Sequence, residues 1–208
     1  MVSFFDLILH KLNLKSWNKV FRYDSKQQLD HILITDSQSV KSTEYVNRKS
    51  VSFDGHKHVK GVKRFTLVDI FGNLWAIATL PANVNDKDTL RHLVNKYQHI
   101  LPKQFKSILA DKGYESKFLA NDLNKKHYTL YAMRSTSRFK KQTKWDYEQI
   151  NLHNYLNKQI SRFRYVVERT FAWLNKCRRL IVNYERKSRN HEGFVKLAMI
   201  RLLVRRMG

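Results

Sequence analysis

Apolar and polar residues along the chain follow two different periods. Phe4, Leu7, Leu12, Leu14, Trp17, Val20 and Phe21 recur on one rough face, which predicts a helix over 4–22. Residues 23–30 are polar and read as a connector. A short apolar run from His31 to Thr35 predicts a strand ending at Asp36, and the Ser-, Lys- and His-rich stretch 41–58 predicts a loop. Val62 to Ile70 and Leu74 to Leu80 are apolar runs around Gly72-Asn73, a pair that tolerates φ > 0, and so predict a hairpin. The second run is apolar almost throughout, as expected of a strand covered on both faces. Pro81 ends it, and Asp86 or Asp88 is expected to cap a helix reaching about Ile100. Ser107 to Ala110 predicts a fourth strand ending at Asp111, with Gly113 free to turn sharply. A helix over 116–124 leads to a fifth strand, Tyr128 to Met133. Residues 134–144 hold Arg134, Arg138, Lys140, Lys141 and Lys144 with no acid, and read as a basic loop. Leu156, Ile160, Phe163, Val167, Phe171 and Leu174 recur at spacings of three and four, predicting a long helix over 153–180. Asn190 is expected to cap a last helix through Phe194, Leu197, Ala198 and Leu202.

This order predicts an α/β fold, a mixed five-stranded sheet flanked by helices. A chain of 208 residues suits one domain. No internal repeat is evident, and no window approaches the ~18 apolar residues of a membrane helix. The opening residues lack a basic start and Asp6 interrupts their apolar run, so no secretory signal is expected. Cys177 is the single cysteine, which excludes an internal disulfide and fits a reduced cytoplasm; it reads as a small buried apolar residue.

Charge changes the picture most. The formal net charge is +23 and the pI about 10.2. A compact fold so charged repels itself unless a polyanion neutralises it, and nucleic acid is the usual one. A generally basic surface, as on ribosomal or membrane-associated proteins, is the alternative. Residues 157–208 carry fourteen Lys or Arg against three Glu, which favours backbone contact through that half.

Three acids stand out in so basic a chain. Asp36 and Asp111 each follow a short strand, and if those strands are parallel neighbours both carboxylates project from one sheet edge. Glu168 lies one residue past Val167 on the long helix, beside its apolar stripe. Convergent carboxylates repel one another unless cations sit among them, and a hard ion such as Mg²⁺ takes oxygen ligands of this kind. Each acid alone also has an ordinary reading. Asp36 and Asp111 fit loop acids after strands, and Glu168 fits a helical ion pair with Arg164 four residues earlier.

The local sequence around the acids adds a second line. Thr35-Asp36-Ser37-Gln38-Ser39-Val40-Lys41 resembles the first-aspartate motif of bacterial insertion-sequence transposases of the DDE type, closest to the group called insertion-sequence family five. Lys60-Gly61-Val62-Lys63-Arg64, then Leu67-Val68-Asp69 and Gly72, resemble that group's next block, and Ala82 to Asp88 the following one. Leu109-Ala110-Asp111-Lys112-Gly113-Tyr114 resembles the second-aspartate motif, Val167 to Arg179 the catalytic-glutamate motif, and Ala198 to Leu202 the tail. The resemblance covers about residues 30–206. It implies a ribonuclease-H-like fold, Asp36, Asp111 and Glu168 as catalytic metal ligands, and two Mg²⁺ ions, with Mn²⁺ as a substitute. It also implies double-stranded DNA as substrate, at terminal inverted repeats and target sites, and a homodimer or higher assembly on DNA. Two positions depart from the pattern: Ser161 stands where relatives often carry Tyr, and Asn175, followed by Lys176, where they often carry a basic residue.

On this reading residues 31–208 are the catalytic domain, and 1–30 are the remnant of an N-terminal DNA-binding region and its connector. An upstream-frame product is a possible partner, no membrane is involved, and the expected location is bacterial cytoplasm, on the nucleoid. A catalytically silent copy that binds DNA or inhibits a full-length transposase is the alternative. Lys41, Arg64, Arg138, Lys140, Lys141, Arg164, Arg178 and Arg179 are the expected phosphate contacts, each also readable as part of a solvated basic face. Trp173 and Phe171 read as core, and the His56-x-His58 pair lacks the third close ligand a zinc site needs.

Overall fold

The computed structural model describes residues 3–21, 31–134 and 144–207. Through them run α1 (Phe4–Phe21), β1 (Ile32–Lys41), β2 (Ser52–Asp54), β3 (Val59–Val68), β4 (Leu74–Pro81), α2 (Asp86–Tyr97), β5 (Ser107–Ala110), α3 (Lys117–Asn124), β6 (Thr129–Ala132), α4 (Lys144–Asn175), α5 (Arg178–Ile181) and α6 (Ser188–Met207). The basic residues Arg138, Lys140 and Lys141 lie outside the described residues.

The strands form one mixed sheet in the order β2-β3-β1-β5-β6, with β4 also paired to β3. β1 and β5 are parallel neighbours, as are β5 and β6. β3 runs antiparallel to β1, and its other edge is shared by β2 and β4. The sheet has six strands where the sequence pattern predicts five. The additional one, β2, is only three residues long and sits in the stretch expected to be loop. Its turn into β3 is built by the Asp54 carboxylate, which accepts from the His56 and Lys57 amides, and by His58 at φ 52°.

Side chains alternate across the sheet, and two cores result. Leu33, Phe65, Leu67, Ala76 and Ile108 face one way, onto Leu90 and Leu93 of α2 and Leu119 and Leu123 of α3. Ile34, Val68, Leu74, Ile77 and Leu109 face the other way, onto Ile160, Val167 and Phe171 of α4 and Val195, Met199 and Leu203 of α6. Each fully buried side chain of this kind stabilises by about 1.5–3 kcal/mol. A surface helix pair contributes only a few tenths, so the two apolar faces of the sheet set the layers. The result is the α/β, ribonuclease-H-like sheet between helices that the sequence predicts.

Several boundaries differ from the sequence pattern. β1 does not end at Asp36 but continues to Lys41, because β3 lies along it from Ile34↔Val68 to Lys41↔Gly61. A ladder of backbone bonds needs no apolar side chains, so the polar run Asp36 to Ser39 is still strand. Gly61 permits that approach, since a Cβ there would lie 1.9 Å from the Val40 carbonyl oxygen. α2 is capped by Asn85, whose side chain accepts from the Lys87 amide, while Asp86 pairs instead with Lys63 at 3.0 Å. α4 starts at Lys144 and stops at Asn175, and extended backbone at Cys177 separates it from α5. α6 starts at Ser188, which places Asn190 inside its first turn. No helix among the described residues is long and apolar enough to cross a membrane.

Candidate active site

The register of β1 and β5 places the first two acids. Ile34 pairs with Leu109, and two residues further along each parallel strand come Asp36 and Asp111. By the period of two, Asp36 leaves the sheet on the face of Ile34, which is the face covered by α4. The condition that both carboxylates share one sheet edge is therefore met by strand pairing itself. Each carboxylate is also held by the amide of the next residue: Asp36 accepts from Ser37, within β1, at 2.7 Å, and Asp111 from Lys112, at the turn after β5, at 2.6 Å.

Glu168 reaches the same edge because the next two residues of α4 are anchored. Arg169 donates to the Phe71 carbonyl at 3.2 Å and Thr170 to the Gly72 carbonyl at 3.2 Å, docking the helix on the β3–β4 turn. The turn is stiff enough to serve as an anchor. The buried Asp69 carboxylate accepts from the Phe71 and Asn73 amides, the Asn73 side chain and the Trp75 indole. Gly72 has φ 82°, and a Cβ there would lie 2.8 Å from the Thr170 hydroxyl. Val167 and Phe171, on either side of Glu168, are buried in the core beneath.

All three acids meet one guanidinium. Arg164 Nη1 lies 3.4 Å from Asp111, and Nη2 lies 3.7 Å from Asp36 and 3.5 Å from Glu168. The pair with Glu168 is the helical ion pair that the spacing predicts. Burial raises the Asp36 carboxyl above the usual carboxylate range, and the Asp111 charge adds to it. The Ser37 amide, Arg164 and Lys57 oppose that rise without cancelling it. Lys57 was invisible in the sequence, one lysine in a stretch read as loop. Its Nζ approaches the Ser37 carbonyl at 3.5 Å.

The expected phosphate contacts divide. Arg164 stands among the acids. Lys41 and Arg178 are exposed. Arg179 is exposed but engaged, paired with Glu185 at 2.6 Å and lying over the Tyr184 and Phe194 rings. Arg64 does not lie at the surface: its side chain is fully buried, donating to Gln38 and to Asn175. It thus ties the strand of Asp36 to the helix of Glu168, at the position where the family pattern leads one to expect a base. Phe171 is core, whereas Trp173 is half-buried with Arg169 and Arg206 over its ring, at 4.9 and 4.2 Å. Cys177 is half-buried rather than buried.

Among the described residues no three of His, Cys, Asp and Glu stand close enough to hold one ion directly. At the three acids Arg164 takes that place. The donor set nevertheless suits a hard divalent cation: three carboxylates, with neither thiolate nor imidazole, gathered from three elements around one positive charge.

A mixed sheet between helix layers, with one acid part-way along a strand, another just past the end of that strand's parallel neighbour and a third on a packed helix, is the arrangement of a ribonuclease-H-like protein of the DDE class. Residues 27–203 match the family model described as Transposase DDE domain, and the chain belongs to that family. Over 144 residues it is 29% identical to a protein of Burkholderia cepacia described as "Putative transposase for insertion sequence element IS402". That match covers 66% of this chain and 60% of the relative, so the chain spans less than two thirds of the relative's length.

Proposed function

We propose that this chain is the catalytic part of a transposase that cuts and joins phosphodiester bonds at the ends of an insertion sequence of family five. The observation that carries the reading is the meeting of Asp36, Asp111 and Glu168 at one cation, reached from three elements far apart in the chain. Asp36, Asp111 and Glu168 would hold two divalent ions, Mg²⁺ or in its place Mn²⁺. When bound, such ions activate an attacking oxygen and stabilise the leaving one in an in-line displacement at phosphorus. The chain's own residues supply the rest. The β1–β5 register and the Thr170 clamp fix the carboxylates before substrate arrives, which spares reorganisation at the reacting phosphate. The charge of +23 holds the duplex, with Lys41, Arg164, Arg178 and Arg179 contacting backbone, joined by Arg138, Lys140 and Lys141. Water attack at the element end frees a 3′-hydroxyl, and that hydroxyl then attacks target DNA at the same site. Two ends must be held together for such joining, so a homodimer or larger assembly on DNA is the working form. A substrate of this kind places the protein on bacterial DNA in the cytoplasm.

The test is nicking of duplex DNA that carries the element's terminal repeat. Asp36→Asn is expected to abolish Mg²⁺-dependent nicking while leaving salt-sensitive DNA binding in place. Nicking retained by Asp36→Asn overturns the reading, and so does cleavage indifferent to the terminal repeat.

A further inference from the structure

We propose that the Arg164 guanidinium holds the cation position of this site in the DNA-free protein, so that Arg164 and divalent metal exclude one another. The proposal rests on the reading of the three acids as metal ligands and goes beyond it, to how the site is loaded.

Four observations carry it. The first is place: one guanidinium reaches Asp36, Asp111 and Glu168 together, at 3.7, 3.4 and 3.5 Å, so the point on which the acids converge is already taken. The second is looseness. A guanidinium locked to a carboxylate makes short paired bonds near 2.7–2.9 Å, and none of these three contacts is that short. Arg164 is shared among three acids and bound tightly by none. The third is incompleteness: its Nε is buried and has no hydrogen-bond partner, so release forfeits little. The fourth is access. The side chain is 27% exposed, so part of the guanidinium already borders solvent, on the side from which a phosphate would approach.

The consequence is a coupling between DNA and metal. With Arg164 in place the cluster is partly neutralised and has weak appetite for a second cation. A phosphate offers the guanidinium the paired oxygens that no carboxylate here provides. A backbone phosphate that draws Arg164 away leaves three carboxylates facing one another, and their mutual repulsion then favours metal entry. Linkage makes the effect reciprocal: metal that displaces Arg164 frees it for phosphate. A nuclease so arranged is poorly loaded until DNA is present.

The test is Mn²⁺ binding to the full chain without DNA, read from the electron paramagnetic resonance signal of free Mn²⁺. Arg164→Gln is expected to bind Mn²⁺ about tenfold more tightly than the unaltered chain, as fits the loss of a half-screened cation among carboxylates. Asp36→Asn in the Arg164→Gln background is expected to remove that gain. Without metal, Arg164→Gln is expected to melt at lower temperature near neutral pH and to recover on adding Mn²⁺, whereas the unaltered chain responds little. Should Arg164→Gln fail to fold, Arg164→Lys carries the test, since a compact ammonium cannot span all three acids and should give a smaller gain of the same sign. Unchanged or weaker Mn²⁺ binding in the folded variants overturns the proposal, as does a gain that survives Asp36→Asn. Failure of the transposase reading is separable: it shows as absent nicking in the unaltered chain, whatever Arg164 does to metal affinity.

Discussion

The Thr170 hydroxyl donates to the Gly72 carbonyl, joining positions 98 apart in the chain and holding the helix of Glu168 against the tip of a hairpin. Gly72→Ala attacks this contact twice. The residue sits at φ 82°, and the added methyl would lie 2.8 Å from the Thr170 hydroxyl and 2.9 Å from the Trp173 ring. Left-handed backbone and overpacking together should cost about 2–4 kcal/mol in urea denaturation. Gly55 is a natural control, with nothing within 4 Å of its added Cβ. Gly55→Ala should change stability by no more than about 0.5 kcal/mol. Nicking by the folded fraction of Gly72→Ala should also fall, because Glu168 is displaced with Thr170; nicking equal to that of Gly55→Ala would separate the clamp from the chemistry.

Asp36 gives a pH dependence of definite sign. Burial raises its folded-state carboxyl above the unfolded value of 3.8. Below that value both states are protonated and Asp36 contributes no penalty. As pH rises the unfolded chain ionises first, so stability is lost through the interval up to the folded value and stays lost above it. Asp36→Asn should therefore raise the melting temperature at neutral pH, and the gain should vanish below pH 3.8. A variant that is more stable yet inactive marks a residue kept for function. If Asp36→Asn melts lower than the unaltered chain at pH 7, the carboxylate is stabilising and this account of Asp36 fails.

The sequence pattern carries the sheet well where apolar side chains decide, and poorly where backbone or distant partners decide. β5 appears at its predicted residues, Ser107 to Ala110, because Ile108 and Leu109 fill opposite cores. The polar end of β1 and all of β2 were hidden, since their ladder bonds to β3 leave no periodic trace in Asp36 to Ser39 or Ser52 to Asp54. Asp86 or Asp88 is the cap the sequence suggests, but Asn85 takes it, both acids fall in the first turn, and Asp86 pairs with Lys63 on the neighbouring strand, a partner that local sequence does not reveal. The motifs single out Asp36, Asp111 and Glu168, and the parallel pairing of β1 with β5, which the sequence alone leaves as a condition, brings the first two together. The placement of Arg164 among them was legible only in its helical half, the spacing to Glu168. Arg64 looked like any surface base because its partners, Gln38 and Asn175, lie 26 and 111 positions away.

That difference between Arg64 and the exposed bases predicts different salt behaviour. Removing a residue that neutralises one phosphate lowers the slope of log affinity against log salt by roughly 0.9. Arg178→Ala and Lys41→Ala, both at exposed positions, should each flatten the slope by about that amount. Arg64→Leu should leave the slope unchanged. Burial lowers the Arg64 pKa to about 10, and Nε and Nη1 have no hydrogen-bond partner, so an apolar side chain of similar bulk should be tolerated by the fold. Filter-binding titrations across a salt series would decide it, and a flattened slope for Arg64→Leu would return Arg64 to the DNA surface.

Asp6 and Lys196 bind the first helix to the last. Lys196 Nζ lies 2.8 Å from the Asp6 carboxylate, and both side chains are 4% exposed. Tyr97 donates to the same carboxylate from α2, and the Ser3 amide and hydroxyl complete it. Breaking a buried pair by removing one partner costs about 3–5 kcal/mol, because the remaining charge is stranded out of water. Asp6→Asn and Lys196→Met should each lose about that much, while Asp6→Leu combined with Lys196→Met should lose much less than their sum. Burial alone would raise the Asp6 carboxyl, but Lys196 and Ser3 together hold it below 3.8. Its contribution is therefore present above pH 3.8 and lost as pH falls through the lower folded value, opposite in sign to Asp36. The melting deficit of Asp6→Asn should shrink as pH is lowered below 3.8. Additive single losses, or a deficit that persists in acid, would show that α1 is held on α6 by its apolar contacts and not by this pair.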